Sequence, residues 1–317
     1  MLKQKLKKGF PQLYEWYLHI QRKKCISKIK KRKKLSTDQY EQEISKQYQQ
    51  RIGHELDWNR LDTYTEKMQW EKLYDKDPRK SELTDKYKVR RWVADRIGEE
   101  YLIELLGVWD CFEDIDFSKL PNSFVLKTNH GSGTNVIVKD KASLNLKETK
   151  RKFKDWLDTD FGYKSLELHY ADISPRKIIA EKYIETDKGE LQDYKFLCFS
   201  GKPYYCWVDM GRYSNHTRNV YDLNWKLQPW NQETYAHYEK PIEKPKNFEK
   251  MVKIAETLAE GFAHVRVDLY NVDGKIYFGE MTFTNGGGFD RIIPAKYDKV
   301  LGDLWEIQKS SVTIKRA

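Results

Sequence analysis

What the sequence lacks narrows its function early. It contains no run of about 18 apolar residues, so no segment is long and apolar enough to span a bilayer as a helix. The N-terminus opens Met1-Leu2-Lys3-Gln4-Lys5, without the apolar core and small-residue cleavage site of a secretory leader. Cysteine is scarce. Cys25, Cys111, Cys198 and Cys206 form no CxxC pair and no Cys/His zinc spacing, which argues against a disulfide framework and for reduced thiols in a cytoplasmic chain. There is no GxxxxGK[ST] phosphate loop, no repeat of fixed period and no low-complexity linker.

Charge, by contrast, is abundant and unevenly placed. The net charge is +10, yet residues 1–36 alone hold 13 Lys or Arg against one Glu. The remaining residues carry 45 basic and 47 acidic side chains, so the body is close to neutral at −2. Within this basic arm Leu13, Trp16, Tyr17 and Ile20 recur at helical spacing, flanked by Lys7, Lys8, Arg22, Lys23 and Lys24. Such a segment suits peripheral contact with a membrane surface or a polyanion; it equally suits a solvated helix docked on the body by its few apolar residues. The near-neutral body makes nucleic acid an unexpected partner.

Residues 37–118 read as mostly helical, with apolar spacing of three or four in Lys67–Tyr74, Glu82–Gly98 and Glu99–Leu106. Ser81 and Thr84 are the expected N-caps for a helix carrying Asp85 and Lys86. After Pro121 the pattern changes. Strands are expected at Ser123–Lys127, Asn135–Val138, Lys177–Ile184, Tyr194–Phe199, Tyr204–Val208, Ala263–Tyr270 and Lys275–Thr282, with helices at Leu146–Leu157 and Asn247–Gly261. Strand pairs mixed with helices, without βαβ alternation, indicate an α+β protein.

Two stretches carry chemistry. In the first, Phe124-Val125-Leu126-Lys127 runs through Thr128-Asn129-His130-Gly131-Ser132-Gly133-Thr134 into a second strand. Its glycines would let backbone N–H groups approach phosphate oxygens, with Lys127 adding a charge, although an ordinary hairpin turn would look the same. In the second, His264, Arg266 and Asp268 share one strand face, and Glu280 and Thr282 share a face of the return strand. A two-residue Asp273-Gly274 turn would send Glu280 to the opposite face from Asp268. A three-residue Val272-Asp273-Gly274 loop pairs Arg266 with Glu280 and keeps both acids together, and is the arrangement expected. Two carboxylates side by side call for a cation, magnesium being the natural choice, unless Arg266 simply pairs with Glu280. Three glycines, Gly286–Gly288, follow and suit close approach of a ligand.

Taken in order, these motifs resemble the ATP-grasp superfamily, and Thr65-Glu66-Lys67-Met68-Gln69-Trp70, Thr84-Asp85-Lys86-Tyr87-Lys88-Val89-Arg90, Asp193-Tyr194-Lys195-Phe196 and Gly279-Glu280-Met281-Thr282-Phe283 resemble its teichuronopeptide-biosynthesis, TupA-like branch. The resemblance covers roughly residues 50–305. It implies an ATP-grasp fold, two α+β subdomains clasping ATP behind a reduced, mostly helical N-terminal region. The corresponding division is a basic arm at 1–36, a helical region at 37–118, a small subdomain at 119–185 and a large one at 186–317. It implies ATP and Mg2+ as cofactors. Lys86, Lys127 and the loop His130, Gly131, Ser132 and Gly133 would hold phosphates; Glu181, Lys182, Tyr183 and Ile184 the adenine edge; Asp193 and Lys195 the ribose and phosphates. Asp268, Glu280 and Thr282 would hold the metal, with Asn285 or water completing the shell because Thr282 stands where the family has Asn. Arg266 and Lys127 would stabilise charge at the reacting centre, while His130 and His264 are better read as structural than as proton shuttles. The implied reaction joins a carboxylate, a uronic acid of a cell-surface polysaccharide, to an amine, at the inner face of the membrane. The alternative is a glycosyltransferase, for which Asp114-Ile115-Asp116 and Asp158-Thr159-Asp160 have the DxD form.

Overall fold

A computed structural model describes residues 9–186, 191–211 and 216–307. Two helices lead. Helix α1 (Pro11–Arg32) is followed by α2 (Thr37–Ile52), which starts at a reciprocal Ser36–Gln39 capping box and stops at Gly53 in the left-handed region. Tyr40, Ile44, Tyr48 and Ile52 recur every four residues and form the buried stripe of α2. Helix α1 docks on the body by ion pairs and by part of its apolar side: Tyr17 and Ile20 are half-buried and Ile29 is buried. Arg22 reaches Asp155 at 2.7 Å and Asp158 at 2.8 Å, and Lys33 reaches Asp160 at 2.8 Å. Phe10, Leu13 and Trp16 stay exposed.

Helix α3 (Tyr64–Tyr74), capped by a Thr63–Glu66 box, precedes α4 (Arg79–Thr84) and α5 (Val89–Ile97). The single helix expected at 82–98 is broken at Asp85–Lys88. The Asp85 carboxylate accepts from the N–H groups of Tyr87 (2.8 Å) and Lys88 (3.1 Å), so it stabilises the start of α5, and Ser81 and Thr84 do not cap it. The expected helix at 99–106 is a short 3-10 turn followed by strand β1 (Leu105–Trp109), which belongs to the first sheet although it precedes the boundary drawn at 118.

That sheet adds β2 (Phe124–Thr128), β3 (Asn135–Val138) and β4 (Ile178–Lys182), all antiparallel in the order β1-β4-β2-β3. Between β3 and β4 lie α6 (Leu146–Asp158) and α7 (Phe161–Ser165). Alternation puts Phe124, Leu126 and Val138 against Phe153 of α6, and leaves Val125, Lys127 and Ile137 on the opposite face.

The second sheet runs β10-β9-β5-β6-β7, again antiparallel, from β5 (Asp193–Phe199), β6 (Lys202–Met210), β7 (Thr217–Asp222), β9 (His264–Val272) and β10 (Lys275–Thr282). A small pair, β8 (Asn231–Gln232) and β11 (Ile292–Ile293), lies apart. Helix α8 (Phe248–Ala259) presents Phe248, Met251, Ile254, Ala255 and Leu258 to one face of the large sheet. On the other face Tyr64 and Met68 of α3 and Leu301 of α9 (Lys296–Asp303) pack with Phe199, Trp207 and Trp230.

The turn after β10 is held by α3. Gln69 Nε2 donates to Gly288 O (2.8 Å), Lys72 Nζ to Gly287 O (2.7 Å) and Tyr64 OH to Asn285 Oδ1 (2.5 Å). Lys72 sits on the buried stripe, four residues after Met68, and loss of water pushes its ammonium down to about 7 against the pull of Glu167. Gly288 has φ +69°, and a Cβ there would stand 2.3 Å from Gln69 Nε2 and 3.0 Å from Met68 Cβ. Gly288→Ala is therefore expected to lower the unfolding free energy by about 2 kcal/mol or more, read as a drop in the urea midpoint at constant slope.

Candidate functional site

The two sheets face each other across a cleft of about 550 Å³. Its apolar wall is made by Val125 and Ile137 from the small sheet and Tyr270 and Phe278 from the large one, closed by Leu102 and Ile103. Its charged lining is Lys86, Lys127 and Glu181 with Asp193, Asp268 and Glu280. A planar apolar group with a polyanionic tail matches this division of surface.

The β9–β10 hairpin closes through Asp273 (φ 50°) and Gly274 (φ 91°), with Val272 opposite Lys275. This is the two-residue turn, not the expected three-residue loop: Asp-Gly readily takes two consecutive positive φ values, and that turn matches the twist of the strands. The acids nevertheless share a face. Register shifts between Phe278 and Glu280, so that Gly279 is an extra residue and Glu280 lies directly opposite Asp268, with Thr282 opposite Arg266. A Cβ on Gly279 would stand 3.0 Å from Asp268 O, so the bulge is made with the residue that fits it.

Arg266 organises this face. Its guanidinium donates to both Asp268 oxygens at 2.7 Å, to Glu280 Oε1 at 3.1 Å and to Thr282 Oγ1 at 3.1 Å. Burial disfavours the charge on Arg266, but Asp268 and Glu280 outweigh it and hold the group protonated. Burial likewise pushes the Asp268 carboxyl up, against Arg266 and against Lys195, whose Nζ lies 2.6 Å away. Lys195 also bonds Asp193; burial opposes its charge, and the two aspartates raise its pKa in spite of that. The cross-strand Arg–Glu pair foreseen as the simplest reading is thus present, inside a larger network.

On the small sheet, Lys127 Nζ bonds Glu181 Oε2, and Arg90 reaches Glu181 Oε1 at 3.4 Å while donating to Ile103 O at 2.8 Å. The glycine loop folds back, Thr128 N–H to Thr134 O at 3.0 Å, with Gly131 and Gly133 at positive φ. Lys86 is tied to this loop twice, by its N–H to Asn129 O (2.9 Å) and by Nζ to Gly131 O (2.6 Å). Asn129 in turn donates to Asp85 at 2.9 Å. Loss of water lowers the Lys86 pKa, which Glu280 partly counters.

Of the expected residues, Lys86, Lys127, Ser132, Gly133, Glu181, Lys182, Tyr183, Ile184, Asp193, Asp268 and Glu280 line the cleft. Lys195, Arg266 and Thr282 lie beneath its floor, where the Thr282 hydroxyl donates to Glu280 at 3.2 Å. Gly131 is buried behind the loop tip. The Lys182 N–H is already committed to Glu104 O at 3.0 Å. Asn285 does not line the cleft; its carbonyl oxygen accepts from Tyr64 at 2.5 Å. His130 turns from the cleft, its Nε2 bonded to Trp156 O at 3.1 Å, and His264 is packed between Glu71 and Tyr64; both are structural. The two DxD runs are also elsewhere: Asp116 caps a 3-10 turn, and Asp158 and Asp160 serve α1. Arg90 ends the run that begins at Thr84, and it lines the cleft beside Glu181 although nothing in that run's pattern marks it.

The family described as TupA-like ATPgrasp matches residues 66–306. No curated protein matches the chain. Among solved structures, a D-alanine–D-alanine ligase from Bacillus anthracis complexed with ATP overlays with a TM-score of 0.39 at 19% identity, over 64% of this chain and 54% of that one. An L-amino acid ligase from Bacillus licheniformis gives 0.41 at 18%, over 64% and 44%. A phosphoribosylamine–glycine ligase from Thermotoga maritima gives 0.41 at 12%, over 67% and 52%. The chain spans about half the length of these proteins.

Burial and the Arg176 charge lower His130 to about 4, so between about pH 6.5 and pH 4 the unfolded chain takes up a proton that the folded chain does not. Stability should therefore rise with pH through this window and be lost as acid is added. His130→Gln, which cannot titrate, is expected to flatten that slope in denaturation curves taken at stepped pH.

Proposed function

We propose that this chain, which belongs to the TupA-like ATP-grasp family, is an ATP- and magnesium-dependent ligase that joins a carboxylate to an amine. One observation carries the proposal: Lys86 and Lys127 share one cleft with Asp268 and Glu280, and Val125, Ile137, Tyr270 and Phe278 line the same space. The residues fit the nucleotide and its metal by their chemistry. Hard carboxylate oxygens from two residues, with phosphates completing the shell, are a usual setting for magnesium. At the loop tip Gly133 has φ +70° and nothing within 4 Å of where a Cβ would stand, leaving room for close approach to its backbone.

ATP, bound with magnesium, would supply the phosphoryl group that turns a carboxylate into an acyl phosphate and leaves ADP; an amine would then attack the acyl carbon, expelling phosphate and giving an amide. Lys127 and Lys86 would neutralise the phosphates. Val125, Ile137, Tyr270 and Phe278 would hold the base and exclude water, with the 182–184 segment along its edge. Asp268 and Glu280 would hold the metal; Thr282 would orient Glu280 and not ligate. Arg266, kept charged by its two acids, would offset negative charge developing beside them. Lys195 would steady Asp193 and Asp268.

For the substrate, the resemblance to the teichuronopeptide branch supports a uronic acid of a surface polysaccharide, joined to an amino acid or another amine. We place the reaction in the cytoplasm, against the membrane where such polymers grow. Among the described residues no helix is long and apolar enough to cross a membrane.

The test is magnesium-dependent release of ADP and phosphate, screened across uronic acids and amines. Glu280 is the residue to change, because its side chain is 39% exposed and the fold should tolerate Gln there. Glu280→Gln is expected to lower kcat by on the order of 100-fold. ATP with magnesium should raise Tm of the wild-type chain, and a nucleotide-sugar should not. No ADP with any pair, or a fully active Glu280→Gln, would sink the proposal.

A further inference from the structure

A second concavity, of about 760 Å³, lies between α1 and α2 and shares no lining residue with the cleft. Positions 39, 42, 43, 46, 47, 50 and 51 of α2 line it. Their steps of three and four make one continuous helix face, roughly 18 Å long, opposite the buried Tyr40–Ile52 stripe.

The cations of this region sort by direction. Arg22 and Lys33 point to the body and are each bound to an acid there, while Arg32 lines the groove, buried, and ties Glu43 of the wall to the carbonyls of Tyr163 and Lys164. Lys28, Lys31, Lys46 and Arg51 line the groove, are exposed, and make no ion pair among the described residues. Glu43 is the one acid on the wall, and Arg32 already neutralises it at 2.6 Å. Arg51 feels the field of Asp290, but Lys28, Lys31 and Lys46 share the concavity with it, and like charges so placed repel one another; a polyanion would relieve this.

Four glutamines line the groove: Gln39, whose side-chain oxygen accepts from Ser36 N–H, and Gln42, Gln47 and Gln50. Their amides can both donate and accept, which suits hydroxyl groups. No aromatic ring lines the groove, so it offers no platform for stacked bases. The wall is also concave, so a flat headgroup layer would meet its rims and not its floor.

We propose that the α1–α2 groove is a holding site for an acidic polysaccharide, whose carboxylates meet Lys28, Lys31, Lys46 and Arg51 and whose hydroxyls meet the glutamines. This deepens the reading of an acidic glycan as substrate and rests on it only in naming the polymer. The groove would retain the chain while one of its carboxylates is modified in the cleft.

Polygalacturonate binding to the full chain, titrated at several salt concentrations, tests this. The quadruple variant K28Q/K31Q/K46Q/R51Q is expected to bind at least about tenfold more weakly, with a flatter salt dependence. The variant K23Q/K24Q, which removes charge from the same arm outside the groove, should bind as wild type. An ATP-induced rise in Tm equal to wild type shows that the quadruple variant is folded. The proposal is overturned if the quadruple variant binds unchanged, or if both variants weaken alike. It is also overturned if single-stranded DNA or phosphatidylserine vesicles bind more tightly than polygalacturonate and lose that binding in the quadruple variant. ADP release with small uronic acids, measured separately, tells failure of the groove from failure of the ligase reading.

Discussion

Two carboxylates on neighbouring antiparallel strands can share a face only if the register between them allows it, and here one extra residue in β10 supplies that register. With the tight Asp273-Gly274 turn and an unbroken ladder, Glu280 would point away from Asp268. The bulge at Gly279 reverses this and brings Glu280 and Thr282 onto the face that carries Arg266 and Asp268. Arg266 can bridge Asp268, Glu280 and Thr282 only because all three lie on one side. Lys195, on the adjacent strand opposite Asp268, completes the neutralisation from the other flank.

Helix α3 carries this arrangement into the rest of the chain. Its polar buried residues serve the backbone of the turn after β10, with Gln69 and Lys72 each taking a glycine carbonyl. Behind the turn, Glu167 accepts from Thr284 at 2.5 Å. Removing the Gln69 or Lys72 donor would weaken the satisfaction of a buried glycine carbonyl, at a cost of about 1–3 kcal/mol. The run from Thr65 to Trp70 therefore matters to the site without lining it: it sets where strand β10 ends and the glycine turn begins.

Much of the site was legible because its residues alternate on strands. Lys127 and Val125 share the outer face of β2, as period two requires, and Asp268 follows Arg266 on β9 for the same reason. The hairpin turn was not legible, since a bulge and a longer loop give the same face to Glu280 and composition does not separate them. Strand β7 escaped notice because Thr217, Arg218 and Asn219 are polar yet buried; Arg218 is held by Asp209 and lies 3.9 Å over the ring of Tyr235. The break at Asp85–Lys88 was hidden by helical spacing that continues across it. His130 was misplaced for a related reason: a loop sequence names its residues but does not say which way an imidazole turns.

The double tether of Lys86 has a thermodynamic consequence. Its main chain is bound to Asn129 and its ammonium to Gly131, so the lysine and the glycine loop are ordered together before any ligand arrives. Immobilising a free lysine side chain costs up to about 2 kcal/mol of rotamer entropy, and here that cost falls on folding instead of on ligand capture. An incoming anion thus meets a receptor that is already assembled.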